Sequence, residues 1–387
     1  MIKSKRKMQK QKILQQKGIT LVALVVTIII LIILAGISIS TLTGSGLFER
    51  AQEAKERTEN AQKEEKEKLE NYLMQIDLQT GKLSGKVQPG DYVTYTPDPA
   101  STTAILDELT EYSGSTANTS STLTQEIGET GLKWRVLDVV DGKVRLISEL
   151  PTTSTVALEG YNGYNNAVYL LDKTCRTLYS KAGYSENVQN LKIEDIQDKM
   201  STDYTTINSN YGTTNITPSY KYYPSILLQE EGQTVTTSDG TEQPTTRLGL
   251  SKQETPITPK QKQSKEATSL SLKYTCWNKS MVAGDSGDFG TKPIYYDLFI
   301  KKKNEDETYS YISTYWLSSR CVFADSQYAS FSVHRVHAGY VTYYDLYYSN
   351  DKPYSNAYAL RPVITLNSNV LVTTGDGTSA TPYEIGL

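Results

Sequence analysis

The stretch Tyr315–Arg320, with the sequence YWLSSR, and the stretch Ala359–Leu366, with the sequence ALRPVITL, decide how the second half of the chain folds. The later stretch predicts a core strand, because apolar and β-branched residues dominate it. Between the two, apolar residues alternate with polar ones at Ala329, Phe331 and Val333, which is typical of a strand with one buried face. We therefore expect a fixed apolar frame that consists of Trp316, Ala329, Phe331, Val333, Val336, Val341, Leu346 and Leu360.

The region before these stretches predicts a hairpin followed by two helices. Asp141-Gly142 lies between two runs rich in valine and leucine, and Asp-Gly supplies the positive φ angles that a tight turn requires. Apolar residues at helical spacing then indicate one helix face with Ala167, Leu171, Cys175, Leu178 and Ala182, and a second with Ile193, Ile196 and Met200.

Residues 201–269 are dominated by Thr, Ser, Gln, Pro and Gly, with little periodicity. Such composition predicts an irregular insertion or a large surface loop. Short runs with β-like composition begin near Lys82 and return after the insertion. The fold class expected for the body is therefore α+β, with a long irregular insertion.

The N-terminus carries the pattern of a membrane anchor. Residues Ile19–Ile37 form nineteen consecutive uncharged residues, and as a helix they would cover about 28 Å, close to the thickness of a bilayer's hydrocarbon core. Seven basic residues and no acidic residue precede them. Basic residues favour the cytoplasmic side, so we expect the chain after Ile37 to lie outside the cell.

A second helical segment is expected after the membrane segment. Gly44-Ser45-Gly46 interrupts the helical composition, and the chain from Leu47 to about Leu78 is rich in Ala, Glu, Lys and Gln. Leu69, Tyr72, Leu73 and Ile76 form a short apolar stripe towards its end. We interpret this segment as a charged stalk helix that packs only at its distal end, although a plain coiled-coil spacer would look similar.

The junction Lys17-Gly18-Ile19-Thr20-Leu21 resembles the prepilin cleavage motif of type IV pilins and pseudopilins. The resemblance implies that a prepilin peptidase cuts between Gly18 and Ile19, that the new N-terminus is methylated, and that other pilin subunits are partners. Ala23 departs from the family, which usually has glutamate at this fifth mature position, so the resemblance does not imply efficient polymerisation. An uncleaved signal anchor is the alternative.

The order of elements in the body resembles the C-type-lectin-like fold of formylglycine-generating-enzyme relatives and of proteins diversified by retroelements. The resemblance covers most of residues 83–387, and its specific part is the last seventy residues. The implied organisation is a basic leader at 1–18, a transmembrane and stalk helix at 19–78, and a lectin-like head at 79–387 with its insertion at 201–269. The resemblance also places a variable binding region at about 320–361.

That region mixes the apolar frame with polar and tyrosine residues. Tyrosine gives a large amphipathic contact area with few rotamers, and small polar residues adapt their hydrogen bonds, as in antibody paratopes. We therefore predict a binding face for a macromolecular ligand, formed by Asp325, Tyr328, His334, Tyr340, Tyr343, Tyr344, Asp345, Tyr347, Tyr348, Tyr354, Asn356 and Tyr358.

Two interpretations of this tyrosine content stay open. In retroelement-diversified proteins, mutagenesis of adenines in asparagine codons yields Tyr, Ser, Asp and His at scattered positions, and the resemblance implies the same origin here. Gln327 and Lys352 do not arise by that route and would be fixed. Alternatively, a tyrosine-rich β-protein simply places its aromatic residues in strands.

Charge and composition exclude several classes of function. After the basic leader, the chain carries 33 basic and 43 acidic residues, so a nucleic-acid partner is not expected. The sequence motifs of calcium-dependent lectins are absent, since Gln243-Pro244 is followed by Thr245 and Trp277-Asn278 by Lys279. His334 and His337 are three residues apart and would lie on opposite faces of a strand, so no metal or cofactor is expected.

Catalysis is not expected either. The chain has only two histidines, both in the predicted binding region, and it lacks the Gly-x-Ser-x-Gly, Walker and dinucleotide motifs. Cys276 with Cys321 is the only conceivable cysteine pair in the later half, but the sequence alone does not establish a disulfide. Cys175 is expected in the core.

Three functions therefore compete. The favoured hypothesis is a pilin-like protein at the cell surface, of the adhesin or receptor type, anchored in the cytoplasmic membrane or incorporated in a pilus with its head outside. The alternative is a minor pilin or pseudopilin with a structural role in a filament or secretion system. The third is an enzyme with the formylglycine-generating scaffold.

Overall fold

The computed structural model describes the chain from residue 46 onward, with several gaps. The described residues are 46–119, 123–201, 214–216, 222–224, 234–237, 242–244, 264–272, 276–284, 287–304, 306, 308–324, 329–348 and 353–387. They divide into two compact units, of which the first ends at Tyr72 and the second covers Leu73–Leu387. The predicted leader, cleavage site and membrane segment at 1–37 lie outside the described residues.

The first described element is the helix α1, Gly46–Thr80, which confirms the helix predicted from Leu47 to Leu78. Leu69 and Tyr72 of the predicted apolar stripe are exposed, at 58% and 66%. Among the described residues, no helix combines the length and apolar character needed to cross a membrane.

The second unit contains four further helices and twenty strands within its described part. The helices are α2 Thr103–Tyr112, α3 Gly160–Tyr179, α4 Ile193–Gln197 and α5 Ile294–Phe299. The strands up to the insertion are β1 Tyr92–Thr94, β2 Trp134–Val140, β3 Lys143–Ser148, β4 Thr155–Glu159 and β5 Ser185–Asn190. Those within or next to the insertion are β6 Thr214–Ile216, β7 Tyr222–Pro224, β8 Thr234–Thr237, β9 Glu242–Pro244 and β10 Ser264–Leu272. The later strands are β11 Lys279–Ser280, β12 Lys301–Lys303, β13 Tyr309–Tyr311, β14 Tyr315–Ala324, β15 Ala329–His337, β16 Tyr340–Tyr348, β17 Ser355–Ala359, β18 Pro362–Leu366, β19 Leu371–Thr374 and β20 Tyr383–Gly386.

A seven-stranded sheet contains the predicted hairpin and the predicted late strand. Its order is β19-β20-β1-β2-β3-β18-β5. Asp141 and Gly142 connect β2 to β3 with φ angles of 50° and 72°, as the Asp-Gly signal requires. The strand β18 pairs antiparallel with both β3 and β5, so the ALRPVITL stretch forms an interior strand, next to the edge strand β5.

A six-stranded sheet carries the predicted binding region. Its order is β11-β16-β15-β14-β17-β4, so β15 lies between β14 and β16. The long antiparallel pairs β14–β15 and β15–β16 form its centre, whereas β14 meets β17 in parallel only at Tyr315 and Ala359. The described fold is therefore mixed α+β with mostly sheet, as expected at the level of fold class.

The helix α3 supplies the main apolar contact between the two sheets. Ala167, Leu171, Cys175 and Leu178 are buried, which confirms the predicted face, whereas Ala182 follows the end of the helix. The same core contains Trp316, Phe331, Val333, Leu346 and Leu360 of the apolar frame together with Trp134, Val136, Val144 and Leu146. Removal of this much apolar surface from water is the dominant favourable term in folding.

A second core lies on the other side of the six-stranded sheet. It contains strand residues whose side chains point away from the first core, such as Leu317 of β14. Packed against them are Trp277, Phe289, Tyr295 and Phe299. Ile193 and Ile196 of α4 are buried in this cluster, as predicted, but α4 ends before Met200. The central strands are consequently covered on both faces.

The expectation of an irregular insertion at 201–269 is wrong for its described parts. The strands β6, β8, β9 and β10 form one sheet, and β7 pairs with β10. The longest of them, Ser264–Leu272, pairs with residues of β6, β7 and β8. Thr and Val residues suit extended backbone even where no clear apolar alternation marks a strand.

Candidate functional site

The strand β16 points alternate side chains to the two sides of the six-stranded sheet. Asp345 accepts a hydrogen bond of 2.6 Å from the hydroxyl of Ser332, whereas Tyr344 packs against the guanidinium of Arg335. Ser332 and Arg335 are three positions apart on β15, so their side chains point to opposite sides of the sheet. Their contacts therefore show to which side each residue of β16 points. Tyr340, Thr342 and Tyr344 lie on the Arg335 side, and Val341, Tyr343 and Asp345 lie on the Ser332 side.

Tyrosine side chains on the Arg335 side form a row over the buried frame. Tyr340 is 45% exposed and Tyr354 is 40% exposed, whereas Tyr344 and Tyr358 are half-buried. The amide of Asn356 donates to the hydroxyl of Tyr358 at 2.7 Å, so these residues of β17 share that side. The name tyrosine row is used below for Tyr340, Thr342, Tyr344, Tyr354, Asn356 and Tyr358 with Arg335.

Trp316 anchors the centre of the tyrosine row. Its ring centroid lies 4.6 Å from that of Tyr358 and 6.2 Å from that of Tyr344, in edge-to-face arrangements. Its indole N–H donates to the carbonyl of Val156 at 2.8 Å, and the residue is fully buried. Aromatic pairs of this geometry add to the energy of apolar burial, so the two tyrosine rings are held in fixed positions.

The turn between β15 and β16 fixes one end of the row. Ala338 and Gly339 have φ angles of 47° and 86°, which suits a two-residue hairpin turn. A Cβ atom on Gly339 would lie 2.6 Å from the ring of Tyr311, so only glycine allows this close approach. Tyr340 follows directly, which places an exposed ring at a rigid turn.

Two predicted contact residues are buried, and their assignment to the binding face is corrected. His334 is 2% exposed and Tyr347 is 1% exposed. The segment that includes Trp277 covers His334, because the backbone N–H of Trp277 donates to Nε2 of His334 at 3.2 Å. Tyr347 lies in the core beside Phe331 and α3. Neither side chain is available to a ligand.

The remaining predicted residues do not form one continuous face. Tyr343 and Asp345 are half-buried on the Ser332 side, away from the tyrosine row. Asp325 and Tyr328 lie outside the described residues, and the side chain of Tyr348 is likewise not described. The structure brings together Tyr344, Asn356 and Tyr358 on the first side, with Tyr340 farther along the same face of β16 and Tyr354 directly before β17.

The burial of His334 predicts a pH-dependent stability. Burial lowers its pKa to about 4, while Nδ1 lies 3.1 Å from the carbonyl of Ser319 and Nε2 accepts from Trp277. The unfolded chain therefore binds a proton at a higher pH than the folded chain does. The free energy of unfolding should fall by up to about 3 kcal/mol as the pH decreases from about 6.5 to about 4.

Urea unfolding of the head at several pH values would measure this slope. His334→Gln keeps an amide donor and acceptor but does not titrate, so the difference from the parent should shrink as the pH decreases. His337→Gln is the matched control, because His337 is exposed and on the opposite face, as the spacing predicted. If the difference in the free energy of unfolding between the parent and His334→Gln stayed constant from pH 7 to pH 4, the lowered pKa of His334 would be contradicted.

A disulfide ties the segment after the insertion to the central sheet. Cys276 and Cys321 are bonded, which answers the question that the sequence left open. The bond connects the chain beside Trp277 with β14, and Cys321 is fully buried. Cys175 is a free thiol in the core, as expected.

A polar cleft of about 920 Å³ lies away from the predicted binding region. Its lining residues are Tyr92, Lys133, Arg135, Glu149, Leu150, Asp297, Lys301, Lys302, Asn304, Asp306 and Tyr309. The hydroxyl of Tyr92 donates to Glu149 at 2.5 Å, and burial together with this bond raises the pKa of Tyr92 to about 12. Charges of both signs line the cleft, so its composition favours no single class of ligand.

Sequence reasoning missed Arg335 and Thr342, which lie directly opposite each other on β15 and β16. The signal was present in the alternation of β15, because Arg335 follows Phe331 and Val333 on the predicted inward face. An arginine that interrupts an apolar face beside tyrosines indicates a guanidinium that is stabilised by cation–π contacts with their rings. Among the described residues, no cluster of His, Cys, Asp and Glu could hold a metal ion.

Comparison with known proteins found no family model, no curated protein and no solved structure that matches this chain. The resemblances to pilins and to the C-type-lectin-like fold consequently stay predictions from the residues that carry them.

Proposed function

We propose that the head is a ligand-binding module of the adhesin or receptor type, displayed at the cell surface, and that the tyrosine row is its binding face. The observation that carries this proposal is the exposure of Tyr340, at 45%, on a strand whose neighbouring residues form the buried frame, together with that of Tyr354, at 40%, directly before β17. Rigid, exposed tyrosines offer contact area at little cost in conformational entropy. Such a surface suits binding rather than catalysis.

The proposed fold of the head is the C-type-lectin-like fold. The early hairpin, the long helix α3 against the central sheet and the YWLSSR strand β14 support this interpretation. In that interpretation about residues 320–361 form the variable part of the head. A reverse-transcriptase gene nearby, with a near-copy of the DNA for about residues 320–361 that differs at adenines, would support retroelement diversification.

Surface display rests on two independent features. Disulfides persist mainly in oxidising compartments, and the Cys276–Cys321 bond suits an exported head. The Lys17-Gly18-Ile19 junction suits processing by a prepilin peptidase, with the following apolar segment kept in the membrane. Mass spectrometry of surface material should find Ile19 at the N-terminus, and an intact Met1 would indicate an uncleaved signal anchor instead.

Covalent capture on producing cells tests the binding face. A photoreactive phenylalanine analogue at Tyr340 of the full chain should yield a reproducible cross-linked macromolecule. The same analogue at Val140 is the matched control, because Val140 is 40% exposed on the hairpin of the other sheet. Equal capture from both positions, or none from Tyr340, would contradict the proposed function.

The identity of the captured partner separates the two non-enzymatic functions. Capture of another pilin subunit through Tyr340 would favour a structural role in a filament or secretion system. Capture of a macromolecule from outside the filament would favour an adhesin or receptor.

A further inference from the structure

Arg335 occupies the centre of the tyrosine row. Its guanidinium carbon lies 5.1 Å from the ring centroid of Tyr344 and 5.0 Å from that of Tyr358. Its Nη1 also donates a hydrogen bond to the hydroxyl of Tyr358. The two rings therefore hold the guanidinium plane in place before any ligand arrives.

The charge of Arg335 lacks a carboxylate partner within the described ranges. Its Nε is buried and makes no hydrogen bond there. Nη2 makes no hydrogen bond to a described residue either, and it is not among the fully buried atoms. Of the three guanidinium nitrogens, Nη2 thus remains available from outside.

Such an arrangement suits recognition of a carboxylate. A planar guanidinium forms short, charge-assisted hydrogen bonds with carboxylate oxygens. Because the rings of Tyr344 and Tyr358 already fix the plane, little rotamer entropy is lost when a ligand binds. Thr342, directly across the strand pair, adds a half-buried hydroxyl beside it.

We propose that Arg335 is the specificity-determining residue of the tyrosine row and that the ligand is a protein that presents a carboxylate to it, from Asp, Glu or its C-terminus. This inference rests on the proposed function of the same surface. Tyrosine and arginine are among the residues that dominate the energy of protein–protein interfaces, and they meet here at Tyr344, Tyr358 and Arg335. That composition favours a protein over an acidic polysaccharide.

Protection from phenylglyoxal, which modifies arginine, tests the inference on the full chain in detergent. The probes are the peptides acetyl-Gly-Glu-Gly-amide and acetyl-Gly-Gln-Gly-amide and the sugar galacturonate, each up to about 50 mM. Mass spectrometry would follow the modification of Arg335, with the buried Arg320 and Arg361 as references that should not react in the folded chain.

We expect the glutamate peptide to slow the modification of Arg335 by about threefold or more, whereas the glutamine peptide should not slow it. Equal protection by the two peptides, or no protection by either, would overturn the carboxylate assignment. Protection by galacturonate without protection by the glutamate peptide would overturn the choice of a protein ligand in favour of an acidic polysaccharide.

A comparison of Arg335→Gln with Tyr344→Ala separates this inference from the proposed function. Arg335→Gln should reduce covalent capture at Tyr340 by about tenfold, and Arg335→Lys, which keeps the charge but not the planar fork, should restore only part of it. If Tyr344→Ala abolishes capture but Arg335→Gln leaves it unchanged, the inference fails and the binding face stands. If neither change affects capture, both fail. A thermal melt of each variant identifies any loss caused by unfolding.

Discussion

Replacing Trp316 with alanine should lower the free energy of unfolding of the head by about 3–5 kcal/mol. The side chain is fully buried, its rings pack against Tyr344 and Tyr358, and its N–H donates to Val156. Alanine would leave a large cavity and would also leave the carbonyl of Val156 without this donor. Urea unfolding of a fragment from Lys82 onward, followed by circular dichroism, measures the loss.

Tyr354→Ala is the matched control for this change. Tyr354 is 40% exposed, so the cost of its truncation should be about 1 kcal/mol or less. A loss from Tyr354→Ala that equals the loss from Trp316→Ala would assign the tyrosine row to the core. The separation of a fixed frame from an exposed row would then be wrong.

Loss of the Cys276–Cys321 disulfide should cost about 4 kcal/mol of unfolding free energy. The bond spans 45 residues, and its removal gives the unfolded chain more conformational freedom. Alanine is chosen over serine at both positions, because a serine hydroxyl at the fully buried position of Cys321 would add a buried polar group. The segment beside Trp277, which covers His334, should exchange its amide hydrogens faster in this variant.

Cys175→Ala controls for the loss of a buried sulfur without loss of a cross-link. Cys175 is a free and fully buried cysteine, so its replacement should cost only the packing of one small side chain. If the double variant unfolded at the same urea concentration as the parent, the disulfide would contribute nothing to stability. The proposed anchoring of the segment at Trp277 would then fail.

Local sequence signals predicted the elements whose structure depends on nearby residues. The Asp141-Gly142 turn follows from the φ angles that a tight turn needs. The buried face of α3 follows from helical spacing, and Cys175 lies on it as expected. Burial of Trp316, Phe331 and Val333 follows from their apolar character. Each of these predictions required only one segment of the chain.

Contacts between distant segments account for the errors in the predicted site. Alternation along β15 predicts one buried face and one open face, but Trp277 and its neighbours cover the second face and bury His334. Tyr347 is buried because the register between β15 and β16 shifts next to Phe331. No signal within residues 320–361 reports either event.

The polar cleft and the pairing around Arg335 also depend on distant residues. Tyr92, Glu149 and Asp297 line the cleft from three separate parts of the chain. Arg335 meets Tyr358 only because β14 and β17 join in parallel at Tyr315 and Ala359. Strand order and register determine which residues meet at the polar cleft and around Arg335. Local composition does not encode either of them.

The affinity of the macromolecule captured through Tyr340 for single alanine variants of the head tests the central claim most directly. The account predicts that Tyr344→Ala and Tyr358→Ala each weaken binding by about tenfold or more, or about 1.4 kcal/mol. Tyr309→Ala, a control at an exposed tyrosine outside the row, should leave the affinity unchanged. Unchanged affinity in both row variants, measured on folded protein, would contradict the claim that the tyrosine row is the binding face.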